Sequence, residues 1–293
     1  MPGGTMLRVL APAKVNLGLE IVGRRPDGYH DLVTILQEIE LADCLTFAEG
    51  ATLSVQSNRP RLANDPRNLV LRAATLLRES AGVQSGAQIY LEKKIPVAAG
   101  LGGGSSDAAA TLLALNRLWN VGWSEAQLTN VARRLGADVA FFLRGGTQLA
   151  TGLGDALDPL PTPRLWVVVV VVPSPYADKT RELYAALSPA DWSDGREVRG
   201  LAEALRAGDS IQRRPLPSGF ARVTAALFPA VSTAFEAMRR AGAVPSLCGA
   251  GPAVLSLHDD ASDARYVAER LRAHSVETWM GETRVHSEQS AHS

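Results

Sequence analysis

A chain of 293 residues, 46% hydrophobic and 20% charged, can bury a sizeable core, which excludes a disordered polypeptide and suits one large domain or two ordinary ones. Thirty basic and thirty acidic residues cancel to a formal charge of zero, without the basic excess of a dedicated nucleic-acid binder. Two cysteines far apart in sequence, Cys44 and Cys248, make neither a disulfide framework nor a Cys-rich zinc site.

The first predicted element is a strand over residues 14–22. Val15, Leu17, Leu19 and Ile21 alternate with Lys14, Asn16, Gly18 and Glu20, the period of a half-buried strand. Residues 24–28 combine Pro26 with Gly28 in a turn, and residues 32–39 and 45–48 read as two more strands. The period then changes: Leu69, Ala73, Leu76 and Leu77 form one stripe of a helix over residues 68–80. A short strand is expected at 89–91 and a helix at 105–119, while Ser124 and Gln127 form a capping box for a helix ending near Gly136. Three prolines within residues 158–163 mark a junction between domains 1–160 and 161–293.

Residues 165–172 form a continuous apolar run that suits a strand buried on both faces and is too short to cross a bilayer as a helix. Helical patterns follow at 179–187, 198–207, 231–241 and 264–273, with strands at 244–247 and 253–257 around a Gly turn. This second half reads as α+β, helices on a small sheet. The tail from Glu282 is polar at its end and is expected to fray. Residues 1–7 carry no basic segment followed by an apolar one, so a reducing cytoplasm is the expected location.

The most informative stretch is Pro96, Val97, Ala98, Ala99, Gly100, Leu101, Gly102, Gly103, Gly104, Ser105 and Ser106. Its four glycines let the backbone curl around a ligand without Cβ obstruction. The helix it opens begins with unpartnered N–H groups at the positive end of the dipole, an anion site. The loop lacks the Lys of a Walker A motif, and Ser105 stands where a full G-x-G-x-x-G would end in Gly, so neither a P-loop NTPase nor a Rossmann dehydrogenase fits.

Other residues are ambiguous one at a time. Lys14 alone reads as an ordinary solvated lysine, and Asp138 could simply cap a short helix. Tyr29 and His30, directly after the turn, pair an aromatic face with a ring that donates and accepts, a combination suited to a pyrimidine base. His258, His274, His286 and His292 have no metal-ligand spacing.

Taken together, residues 11–19 (around Lys14 and Asn16), the Gly-rich loop and residues 248–253 resemble the GHMP small-molecule kinases along nearly the whole chain. The resemblance implies a two-domain α+β fold, with a ribosomal S5-like N-terminal domain, a ferredoxin-like C-terminal domain and a cleft between them. It implies ATP bound by residues 96–106. No protein carboxylate stands out for Mg²⁺, which ATP can carry itself, with Ser105 or Ser106 available as a ligand. The resemblance also implies Asp138 as base and Lys14 as its supporting cation. Residues 25–31 and 102–109 point to one branch, whose acceptor is 4-diphosphocytidyl-2-C-methyl-D-erythritol, phosphorylated on the 2-hydroxyl in the non-mevalonate isoprenoid route. For that branch Asn16, Tyr29, His30, Thr180 and Tyr184 are implied to hold the acceptor. Cys248 and Ala250 depart from the pattern, standing where relatives often carry hydroxyl residues. The rival readings are a GHMP kinase for homoserine or a mevalonate-type alcohol, and a noncatalytic S5-like RNA-binding module. Neutral charge and the presence of both Lys14 and Asp138 weigh against the last.

Overall fold

The computed structural model describes residues 6–63, 65–173, 176, 179–212 and 214–285. Two long strands, β1 (Met6–Arg24) and β2 (His30–Gly50), pair antiparallel along their length. The predicted turn joins them, with Gly28 N donating to Arg25 O at 3.0 Å. The two strands expected within residues 32–48 are thus one, because pairing with β1 resumes at Ala42 after a bulge at Glu40 and Leu41.

After β3 (Leu53–Ser57) and the short α1 (Pro60–Ala63) comes α2 (Leu69–Ala81), where the helical stripe was expected. Asn68 caps it by accepting from Val70 N, and Gly82 ends it in the left-handed conformation. Then follow β4 (Gly86–Glu92), α3 (Gly103–Leu118), α4 (Glu125–Leu135), α5 (Ala137–Arg144), β5 (Thr147–Gly152) and β6 (Ala156–Leu160). The Ser124–Gln127 capping box opens α4 as predicted. β4 and β5 share the edge of β2 opposite β1, pairing with its later and earlier parts, and β3 and β6 close the sheet. Part of the expected proline junction is therefore strand: Pro159 lies in β6, an edge strand, where a missing N–H is tolerated.

The second half is built on β7 (Trp166–Val170). It continues through α6 (Lys179–Ala185), α7 (Arg196–Ala207), α8 (Ala221–Leu227), α9 (Pro229–Arg240), β8 (Ser246–Leu247), β9 (Val254–His258), α10 (Ala261–Ala273) and β10 (Thr278–Glu282). The antiparallel sheet runs β10-β7-β9-β8; Val167 and Val169 pack into one core and Val168 and Val170 into another, and this burial of both faces explains the unbroken apolar sequence of β7. The tail does not fray at Glu282. Glu282 pairs with Trp166, and Arg284 N donates to Glu38 O at 2.8 Å. Residues 286–293, with His286 and His292, lie outside the described residues.

β1 is not half-buried but enclosed on both faces between residues 11 and 21. A register shift between Pro12 and Ala13 changes which face points where. Ala11 joins the core under α2 and α3, whereas Ala13, Val15 and Leu17 join a core containing Val167, Val169 and Leu255 from the second sheet. The two sheets thus share apolar packing, at about 1.5–3 kcal/mol for each Val or Leu fully buried.

One ion cluster seats the start of α3. Lys93, just after β4, donates to Asp107 Oδ2 at 2.8 Å and to Asp43 of β2. Asp43 Oδ1 in turn accepts from Lys94 N at 2.5 Å and Ile95 N at 2.8 Å, fixing the entry to the Gly-rich loop. All three charged groups are buried. Burial pushes the Asp107 carboxyl up, Lys93 pulls it back, and the Asp43 charge adds to the rise. Because the folded pKa is raised, the folded state holds a proton that the unfolded chain releases at lower pH. Its contribution to stability therefore declines as pH climbs from the ordinary carboxylate range through the raised value. Lys93→Met, which strands two buried carboxylates, is expected to cost about 3–5 kcal/mol in urea unfolding at neutral pH. Asp107→Asn keeps the Lys93–Asp43 pair and should gain on wild type as pH rises. A wild-type unfolding midpoint for Lys93→Met would contradict this role.

Candidate active site

Lys14 occupies the middle of β1 beneath the Gly-rich loop, its N–H donating to Leu101 O at 2.9 Å. Its Nζ donates to Asn16 Oδ1 at 2.9 Å and lies 3.6 Å from Asp138 Oδ2. Asn16 is itself fixed, donating to Thr34 Oγ1 at 2.8 Å, while Thr34 donates to Gly18 O at 2.7 Å. Lys14 is 7% exposed, so it is not the solvated lysine that its strand position alone suggests. Asp138 stands in the first turn of α5, but Gly136 is the N-cap and no side chain caps that helix. Its carboxylate is therefore not used as a cap and faces the cleft beside Lys14.

α3 begins at Gly103, two residues earlier than its sequence suggests, behind Gly102 in the left-handed conformation at φ 72°. A Cβ on Gly102 would stand 2.9 Å from Lys14 Cγ and from the Phe142 ring, so only glycine lets the loop close over the lysine. No side chain caps this helix, which leaves its first N–H groups available to an anion. Residues 96–105 line a cleft of about 350 Å³ together with Asn68, Lys93 and Asp107. Ser105 also borders a second cleft, of about 430 Å³, lined by Lys14, Asn16, Asp138, Thr180 and Tyr184. Ser106 borders neither. It is buried, and its Oγ has no hydrogen-bond partner among the described residues.

A third and larger cleft, of about 1100 Å³, brings Tyr29, His30, Thr180 and Tyr184 together with Arg24 and Trp192. The His30 and Tyr184 rings are 5.4 Å apart, and Tyr184 also packs edge-on against Phe220 at 5.0 Å. Tyr184 therefore combines the core role and the cleft position that its sequence left open. Tyr29 is 65% exposed. Burial, then the Arg24 charge, lowers the His30 pKa; burial, then Asp138, pushes the Tyr184 phenol up to about 12. At neutral pH His30 is a neutral ring and Tyr184 an O–H donor.

Residues 248–253 form the turn between β8 and β9, with Gly251 N donating to Cys248 O at 2.8 Å. A Cβ on Gly249, at φ 58°, would come 2.5 Å from Asn16 Oδ1, so this turn abuts the same strand that carries Lys14. Cys248 is wholly buried in the shared core rather than directed at a ligand.

Two features were not anticipated from sequence. Lys179 lines the Lys14–Asp138 cleft and donates to Gly251 O; its adjacency to Thr180 was the available signal. The Lys93–Asp43–Asp107 cluster was signalled by a lone acid inside the Ala-rich start of α3. His258 links Ser256 Oγ and Asp263 Oδ2, each at 2.8 Å, in the order of a hydrolase triad. Ser256 and His258 are buried within β9 and border none of these clefts. Among the described residues no helix is long and apolar enough to cross a membrane.

Comparison with known proteins supplies the rest. Residues 68–146 match the family described as GHMP kinases N terminal domain, and residues 198–277 match GHMP kinases C terminal. The 4-diphosphocytidyl-2-C-methyl-D-erythritol kinase of Pelotomaculum thermopropionicum is 43% identical over 274 residues, covering 91% of this chain and 94% of its own. A crystal structure of 4-(cytidine 5'-diphospho)-2C-methyl-D-erythritol kinase superposes with a TM-score of 0.79 at 38% identity, over 94% of this chain and 99% of that one. The homoserine kinase of Cytophaga hutchinsonii shares the fold, at a TM-score of 0.71 and 20% identity over 96% of this chain and 95% of its own. With its N- and C-terminal domain matches and its two-sheet α+β architecture, the chain belongs to the GHMP kinases.

Proposed function

We propose that this chain transfers the γ-phosphoryl group of ATP to the 2-hydroxyl of 4-diphosphocytidyl-2-C-methyl-D-erythritol, with Asp138 as base. The observation that carries the reading is the Lys14–Asp138 pair, 3.6 Å apart where the open end of α3 meets the cleft of Tyr29, His30 and Tyr184. In this reading the nucleotide lies along residues 96–105, with its phosphates on the free N–H groups of α3. The acceptor occupies the larger cleft, with its hydroxyl toward Asp138. The domain division at 160/161 follows the end of the first sheet at Leu160. A cytoplasmic setting accords with two buried free thiols.

Phosphoryl transfer needs mainly alignment and charge stabilisation, with modest help from a base. Asp138 takes the hydroxyl proton, and Lys14, held by Asn16, offsets the negative charge that develops beside it. Ser105, which borders both the cleft of the Gly-rich loop and the Lys14–Asp138 cleft, fits as a hydroxyl ligand for Mg²⁺ arriving on the triphosphate. When bound, the ion neutralises triphosphate charge. A coupled assay of ADP release tests the assignment, with the cytidine-bearing alcohol run beside homoserine and mevalonate. Turnover is expected with the first alone, and Asp138→Asn should lower it by about 10²–10⁴ while leaving ATP affinity nearly intact. Wild-type turnover in Asp138→Asn at saturating substrates would remove the base assignment.

The aromatic cleft is assigned to the cytosine. Tyr29 offers an exposed face, Tyr184 a protonated hydroxyl, and neutral His30 one donor and one acceptor for the pyrimidine edge. Asn16 and Thr180 flank the path from base to hydroxyl. Tyr29→Ala is expected to weaken acceptor binding by about 1–3 kcal/mol, the worth of an aromatic–base stack, with ATP affinity unchanged. His30→Ala should reduce discrimination between cytidine and uridine forms of the acceptor. Calorimetry that finds acceptor affinity and base preference unaltered in both variants would sink the pocket assignment.

A further inference from the structure

Lys179 has no part in the mechanism so far, yet its position is unusual. It is 9% exposed, and its Nζ donates to Gly251 O of the β8–β9 turn. A Cβ on Gly100 would stand 3.0 Å from that Nζ, so the ammonium is wedged between the Gly-rich loop and the turn. It borders the same cleft as Lys14 and Asp138. Among the described residues it has no ion pair. An ammonium carries three donors, and only one is taken by the Gly251 carbonyl.

The charges around this cleft do not balance. Lys14 approaches from β1, Asp138 from α5 and Lys179 from α6, so two cations face one carboxylate. The remaining titratable neighbours are neutral near pH 7: burial raises both the Cys248 thiol beside β8 and the Tyr184 phenol. A buried, unpaired ammonium is costly unless an anion completes it. The anion that the reaction brings to this point is the phosphoryl group.

We infer that Lys179 is a second catalytic cation, contacting the phosphoryl group in transit from the side opposite Lys14. The step balances without further reagents. The bond from the γ-phosphorus to the leaving oxygen of ADP breaks, the bond to the acceptor 2-oxygen forms, and the hydroxyl proton passes to Asp138. Lys179 keeps all its protons and supplies charge only. Burial, then the Lys14 charge, lowers its pKa to about 8 in the free enzyme. Its charge is therefore present below that value and lost above it.

This inference rests on the assignment of Lys14 and Asp138, and the test separates the two. Lys179→Met and Lys179→Arg are compared with wild type and Asp138→Asn, with kcat, KM and the calorimetric Kd of each substrate measured across pH. Lys179→Met is expected to lower kcat about 10²-fold, the usual effect of losing one preorganised charge donor, with either Kd moving less than about threefold. In wild type, kcat/KM should decline as pH rises through about 8. Lys179→Arg, charged throughout, should carry that decline to higher pH. Should Lys179→Met fail to fold, the pH profiles of wild type and Lys179→Arg decide alone. Wild-type kcat in Lys179→Met, or the same alkaline limb in Lys179→Arg, overturns the inference while leaving the base assignment intact if Asp138→Asn is impaired. A wild-type protein inactive on the cytidine-bearing alcohol overturns both.

Discussion

The arrangement around β1 depends on backbone approaching closer than any side chain permits. Lys14 and Asn16 lie two residues apart on one strand, and each is overlaid by a glycine from a different part of the chain. Gly102 comes from the loop before α3 and Gly249 from the turn between β8 and β9, and a Cβ on either would collide at 2.9 Å or less. Both glycines adopt positive φ, which removes nearly all alternatives at these positions. Without this double contact the lysine would be a strand residue facing solvent. With it, an ammonium, a carboxylate and the open end of a helix converge in one cleft.

The shared core explains how contacts so tight can be kept between two sheets. Val15, Leu17, Val33 and Ile35 of the first sheet pack with Val167, Val169 and Leu255 of the second. Isolated bridges reinforce the junction, pairing Leu19 with Ser218 and Ile39 with Thr283. A phosphoryl-transfer site gains from such rigidity, because misalignment of donor and acceptor by about 1 Å can cost 10²-fold in rate. The buried Lys93–Asp43–Asp107 cluster does the same for the Gly-rich loop, holding its entry against β2 and the start of α3 against the end of β4.

Much of this was legible in the sequence where one local signal dominates. The stripe of Leu69, Ala73 and Leu77, the Ser124–Gln127 box and the apolar run of β7 each specify an element without help from distant residues. The motifs around Lys14 and the Gly-rich loop named the family, as the 43% identical relative bears out. Long-range packing was not legible. Alternation along β1 predicts one wet face, but α3 and the second sheet cover both, and the shift at Pro12/Ala13 redirects the apolar side. The helical start at Gly103 contradicts glycine's poor propensity, because burial of α3 on nearly every side outweighs about 1 kcal/mol per glycine. Lys179 was hidden for a similar reason. A lysine opening a helix reads as solvent-facing, and only the fold brings Gly100 and Gly251 against it.

The central claim is that Lys14 and Asp138 act as one unit on the reacting hydroxyl. The most direct test is a double-mutant cycle on kcat, with Lys14→Met, Asp138→Asn and the pair combined in the ADP-release assay. Groups that serve the same step through each other are strongly non-additive, so the double variant should be little slower than the worse single one. Losses that multiply would mean two independent contributions and would contradict the account.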